Sequence, residues 1–193
     1  MIQSLILTRD FERAAADYRQ QMAVLAQASD PLFAAPGFYK GDWRARDDNN
    51  CYNFALHRPT RDYLQPGELS GAWQWASTDL AADTHNAAQA DGLLYLGQSF
   101  LQCRPDHFPV ALFFEDEEFG DYHWLALRQQ VKDNNPTGRL IWCHKPDGDH
   151  APEIITAPET IFSKAHAYGY PVFAGYYQVS RDMAYREAVR PAP

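Results

Sequence analysis

Cys51, His123 and His144 are the residues of this chain whose types and order suit acyl chemistry. Attack of a thiolate on a carbonyl needs a base within hydrogen-bond reach, and that base needs a third group to set its tautomer and orientation. Cys51 follows the polar pair Asn49-Asn50 and precedes Tyr52-Asn53-Phe54-Ala55-Leu56, where apolar and polar residues alternate. A helix beginning there puts the cysteine in its first turn, where unpaired N–H groups and the positive dipole end lower a thiol's pKa and favour the thiolate. Asn49 or Asn50 serves as the N-cap, and Pro59 halts the helix after about two turns. A side-chain amide just before the nucleophile has a second possible role, helping the Cys51 backbone N–H to bind an oxyanion. The simplest assignment makes His123 the base and His144 its orienter. Asp121, two residues before His123 on the same strand face, is the rival orienter. Each member also has a plain reading. Cys51 is then a small buried apolar residue, as most free cysteines are, and His123 a half-buried strand residue bonded to backbone.

Several elements must position these groups. Phe11, Ala15, Tyr18, Met22 and Leu25 recur at spacings of three or four behind Asp10, which predicts an amphipathic helix over residues 10 to 27. Residues 29 to 48 read as an irregular, aromatic-rich segment leading into the Cys51 helix. Pro66-Gly67 predicts a type II turn in an ordered loop, and a second helix is predicted from a cap at Ser77 to about Asp91, ended by Gly92. Phe108 to Phe114 reads as a buried strand, followed by an acidic turn at Glu115 to Glu118. Strands are also predicted over 122 to 128 and 139 to 144, joined by the turn signals of Lys132 to Gly138, which makes them antiparallel neighbours and sets His123 and His144 side by side. A last strand fits 171 to 179, and the Pro-containing tail after Arg190 is expected to be loose. Helices first and strands afterwards point to a single α+β domain spanning residues 1 to 193, with N-terminal helices packed on an antiparallel sheet.

The 193 residues are enough for a continuous core without disulfide or metal staples. Hydrophobic residues at 46% and aromatics at 14% are those of a globular chain. A net charge of -8 without a Lys/Arg run argues against nucleic acid or an anionic membrane as partner, and makes a neutral or cationic substrate easier to accommodate. Three cysteines cannot all pair within one chain and none form a CxxC. Cys103 and Cys143 read as core thiols, and His57, His85, His107 and His166 as surface or packing residues. The N-terminus has neither the basic start nor the apolar run of a signal peptide, so a cytoplasmic product is expected, with any export by a signal-independent route.

The combination NNCYNFALHRP, LQPGELSG, GDYHWLALRQ and IWCHKPDG, spread over about residues 37 to 180, resembles papain-like cysteine hydrolases of bacteria and phages, close to the NlpC/P60 group. The resemblance implies a helix packed on an antiparallel sheet, with a Cys-His-His site of Cys51, His123 and His144 that cleaves peptide or amide bonds, commonly in bacterial cell-wall peptides. Such an enzyme needs no cofactor. It suits a delivered effector, a phage lytic enzyme or a housekeeping amidase, and nothing in the sequence identifies an inhibitory partner protein.

Two other classes compete. Cys143, His144, Asp147, Asp149 and His150, with His123 completing the set, are dense in zinc-ligand atoms, although Lys145-Pro146 interrupts them and no ligand spacing preorganises a metal. A zinc-dependent hydrolase would use this cluster. In a non-catalytic binding domain, Cys51 would react with iodoacetamide no faster than an ordinary thiol.

Overall fold

In a computed structural model, the structure describes residues 5–28, 32–38, 49–59, 63–72, 79–116, 120–146 and 150–185. Helices α1 (Phe11–Gln27), α2 (Cys51–Ala55), α3 (Leu80–Ala90), α4 (Ile161–Ala167) and α5 (Arg181–Tyr185) accompany strands β1 (Gly37–Phe38), β2 (Leu94–Gly97), β3 (His107–Phe114), β4 (Tyr122–Lys132), β5 (Asn135–His144), β6 (Glu153–Ile155) and β7 (Val172–Ser180). The strands form one sheet in the order β2-β7-β3-β4-β5-β6 with antiparallel neighbours, and the short β1 pairs in parallel with β4. The architecture is α+β, as expected. Among the described residues, no helix is long and apolar enough to cross a membrane.

β3 shows how the sheet is built. All of its residues are buried: Phe108, Val110, Leu112 and Phe114 face one apolar cluster, Ala111 and Phe113 another. A strand covered on both faces reads as a continuous apolar run because neither face needs polar residues. The first cluster takes in Tyr52 and Phe54 of α2 and Ala81 and Ala88 of α3. The second takes in Ala14, Ala15 and Tyr18 of α1 and Ile161 and Phe162 of α4. The sheet thus lies between two helical layers, α2 and α3 on one side and α1 and α4 on the other.

Helix α1 matches its expected span, with the Asp10 carboxylate accepting from Arg13 N. The next helix starts later than expected. Its cap is Asp79, whose carboxylate accepts from Ala82 N, while Ser77 lies outside the described residues. Gly92 follows its end at φ 103°, the left-handed region that glycine enters without a Cβ clash. The β4–β5 connection is tighter than the turn expected over 132 to 138. Lys132 pairs with Asn135, and the two residues between them, Asp133 and Asn134, both have positive φ, the geometry of a type I′ hairpin. Both strands therefore run further than the sequence suggests. The 171-to-179 strand appears as β7, whereas β1, β2, β6, α4 and α5 are additions. Glu117, Glu118 and the tail after Arg190 lie outside the described residues.

Candidate active site

Helix α2 begins where the sequence puts it but is shorter. Asn50 is the N-cap: its side chain accepts from Asn53 N, and the Asn53 side chain accepts from Asn50 N, a reciprocal capping box. Cys51 is the first helical residue. The helix ends before Pro59 exerts any effect. Arg58 N donates to Asn53 O and His57 N to Phe54 O, with His57 at φ 53°, the paired bonds of a Schellman motif. A five-residue helix sums few peptide dipoles, so its macrodipole at Cys51 is small.

The helix is held from both ends. The fully buried Arg128 of β4 donates to the carbonyls of Phe54 and Ala55 at its C-terminal end, with its guanidinium carbon 5.0 Å from the Phe54 and Phe108 ring centroids. At the other end Asn50 Nδ2 donates to Leu64 O at 2.8 Å, and Leu64 N donates to Asn53 Oδ1 at 3.0 Å. The Asn50 amide is thereby engaged as cap and loop tie, and Asn50 also lines the cavity beside Cys51. Asp91 fastens the same loop, accepting from Tyr52 OH, Gly67 N and Ser70 N.

These ties bring Gln65 beside Cys51 in a cavity of about 130 Å³, which Tyr122, His123, Asp121, Lys145 and Tyr170 also line. Cys51 Sγ lies 4.0 Å from Tyr122 O. Tyr122 and Trp124 point into the α2 layer, whereas His123 follows Leu125 and Leu127 in the alternation toward the α1–α4 layer. Cys51 and His123 both line this cavity, and His123 is the second residue of β4.

His123 is 4% exposed and His144 fully buried. Their rings stand nearly perpendicular, with His123 Nε2 2.9 Å from His144 Nδ1, so the expected pairing is present. Tyr170 stacks on His123, with centroids 5.0 Å apart and planes 19° apart. Burial, and then His144, pushes the His123 pKa well down; burial does the same to His144 against the opposing pull of Glu153. Both imidazoles are therefore neutral at neutral pH. With Nε2 engaged, Nδ1 is the nitrogen of His123 left to meet a thiol. Asp121 lines the cavity but its carboxylate accepts from Tyr170 OH at 2.8 Å and from Tyr122 N at 2.7 Å. The group on His123 Nε2 is His144.

The metal-ligand reading fares differently. Cys143 faces the α2 layer and His144 the opposite one, so successive strand residues cannot join in one site. Burial pushes the Cys143 thiol up to about 12. Asp147 and Asp149 lie outside the described residues, among which no group of three or more His, Cys, Asp or Glu is placed to hold a metal ion. Cys103 is also buried and pushed up to about 12.

The site contains residues that the sequence reading passed over. Burial, then the neighbouring Cys51 and Asp121, raises the Tyr122 phenol well above its ordinary value, so it stays protonated and donates to Gln65 Oε1. Lys145 is completely buried beside the cavity. Gln65 sat inside a motif already singled out, and Tyr122 and Lys145 each adjoin a candidate histidine. Tyr170 left no sequence signal, because only the fold lays it on His123. Comparison with known families, curated proteins and solved structures finds no match to this chain.

Proposed function

We propose that this chain is a papain-like cysteine hydrolase, a peptidase or amidase acting through an acyl-enzyme, with Cys51 as nucleophile, His123 as base and His144 as its orienter. The observation that carries the reading is the shared cavity: a cysteine at the first residue of a capped helix and a neutral, buried histidine line it together, and that histidine's far nitrogen is held by a second histidine.

In this mechanism His123 Nδ1 takes the thiol proton as the sulfur bonds to the substrate carbonyl carbon. The oxyanion that forms is met by the Cys51 backbone N–H and by the Gln65 amide, whose Oε1 is occupied by Tyr122. The His123 imidazolium then gives its proton to the departing amine as the C–N bond breaks, leaving a thioester. Water, deprotonated by His123, attacks the thioester; the carboxylic acid departs and Cys51 regains its proton. The cavity accepts one side chain or the reacting segment of an extended chain, which suits a peptide crossing it. Bacterial cell-wall peptides are the first substrate class to assay, followed by simple peptide and amide panels.

The test is hydrolysis of such a panel by the wild-type protein and by Cys51→Ala, with thermal unfolding as a control for folding. Activity lost in a folded Cys51→Ala variant supports the reading. Turnover that survives in that variant ends it.

A further inference from the structure

The orienting histidine has a group behind it. In the β5–β6 ladder, His144 is paired with Glu153, whose Oε2 lies 3.5 Å from His144 Nε2. The same oxygen is 2.6 Å from Lys164 Nζ on α4, and Oε1 accepts from Tyr168 OH at 3.0 Å. His144 Nε2 is buried and makes no hydrogen bond among the described residues, so the carboxylate is its electrostatic neighbour at a distance too long for a well-formed bond.

We infer that Glu153 sets the tautomer of the whole histidine pair and thereby makes His123 Nδ1 the basic nitrogen of the site. The inference rests on the thiol reading above for its catalytic meaning, but its physical content is independent of it. A neutral imidazole carries one N–H and one lone pair. A bare lone pair at the buried His144 Nε2 would face the lone pairs of the ionised, partly exposed Glu153 carboxylate, whereas an N–H there faces them favourably. The hydrogen bond from Lys164, the first cause of a lowered Glu153 pKa, keeps that carboxylate ionised. The proton of His144 therefore sits on Nε2, and its Nδ1 is an acceptor. The 2.9 Å contact then requires a proton on His123 Nε2, and the lone pair of His123 falls on Nδ1. The opposite tautomer of His144 would place its proton on Nδ1, force the His123 proton to Nδ1 as well, and leave no base toward the thiol. Glu153 touches neither thiol nor substrate cavity; it is a positioning residue, held between Lys164 and Tyr168 so that its charge points at one nitrogen.

Histidine-ring ¹⁵N NMR on the full chain tests this directly, since protonated and bare ring nitrogens have separate shifts. The expected wild-type spectrum has His123 and His144 both protonated at Nε2. Glu153→Ala should move protons to Nδ1 in part of the population and slow iodoacetamide alkylation of Cys51 at neutral pH by at least ~10-fold. Glu153→Gln, which keeps an acceptor oxygen, should recover part of both. A wild-type His144 protonated at Nδ1, or a Glu153→Ala protein with unchanged tautomers and unchanged alkylation, overturns the inference. The proposed function fails separately, if wild-type Cys51 reacts no faster than an ordinary thiol while the NMR tautomers still follow Glu153.

Discussion

His123 and His144 are diagonal rather than direct neighbours in the sheet: the ladder pairs His144 with Leu125, yet His123 Nε2 reaches across to His144 Nδ1 at 2.9 Å. Diagonal positions on adjacent strands lie within reach of ring side chains, and here the reach engages Nε2 of His123. The register that starts at the Asp133-Asn134 turn, with Lys132 opposite Asn135 and Val131 opposite Pro136, would set His144 directly opposite His123; the register shift between Gln129 and Val131 moves it on to Leu125 and makes the contact diagonal.

The two candidate orienters can be ranked by mutation. Under the proposed mechanism His144→Ala should lower the rate of hydrolysis by orders of magnitude and slow Cys51 alkylation at least as much as Glu153→Ala does, since His123 loses the partner on Nε2. Asp121→Asn should cost less than about tenfold, because the Asp121 carboxylate serves Tyr170 and the Tyr122 backbone. The reverse ranking would reassign the third position to Asp121.

The parts of this site that were legible are those written into local sequence. The Asn50–Asn53 cap, the apolar run of β3 after His107 and the Asn-rich hairpin turn each follow from a short-range rule. What escaped was set by distant partners. Helix α4 is only seven residues long, too short for a hydrophobic period to show, although its Thr160–Ser163 capping box was present in the chain. Glu153 acquires its place from the register of a three-residue strand. The end of α2 was misjudged because the proline was the obvious stop, while His57, which takes a left-handed conformation that few non-glycine residues adopt, ends the helix first.

Alkylation should discriminate sharply among the thiols. Cys103 and Cys143 are buried and raised to about 12, whereas Cys51 is partly exposed at the cavity. A brief treatment of the native protein with iodoacetamide should give a single adduct, mapped by mass spectrometry to Cys51, and three adducts after denaturation. Modification of Cys143 at a comparable native rate would contradict the buried placement.

Arg128 should be a structural keystone of the Cys51 helix. Arg128→Met keeps much of the stem packing but removes the donors to the Phe54 and Ala55 carbonyls, which should lower unfolding free energy by roughly 2–4 kcal/mol in urea titrations. Stability unchanged within about 0.5 kcal/mol would show that those bonds contribute nothing net.

Acid should destabilise the protein through the buried His123 and His144 and the half-buried His57 before its carboxylates are protonated. His57 is lowered to about 3 by burial and then by the Arg128 charge, and His123 and His144 are lowered chiefly by burial. Below the unfolded value of about 6.5, the unfolded chain binds protons at these positions and the folded protein does not. Stability therefore falls as the pH drops below that value, and the loss continues until the folded-state values are reached. Each such histidine adds about 1.4 kcal/mol of loss per pH unit once the unfolded form is fully protonated. Glu153 and Asp106, both lowered below the usual carboxylate values by hydrogen bonds, add their own loss only nearer the unfolded carboxylate pKa of about 4, so the interval from pH 6.5 down to 5 isolates the histidines. Urea unfolding at pH 7, 6 and 5 should show the decline steepening through that interval, with a shallower slope in His57→Leu. A stability that stays level from pH 7 to pH 5 would mean that these imidazoles gain protons in the folded protein as readily as in the unfolded chain, contrary to their burial.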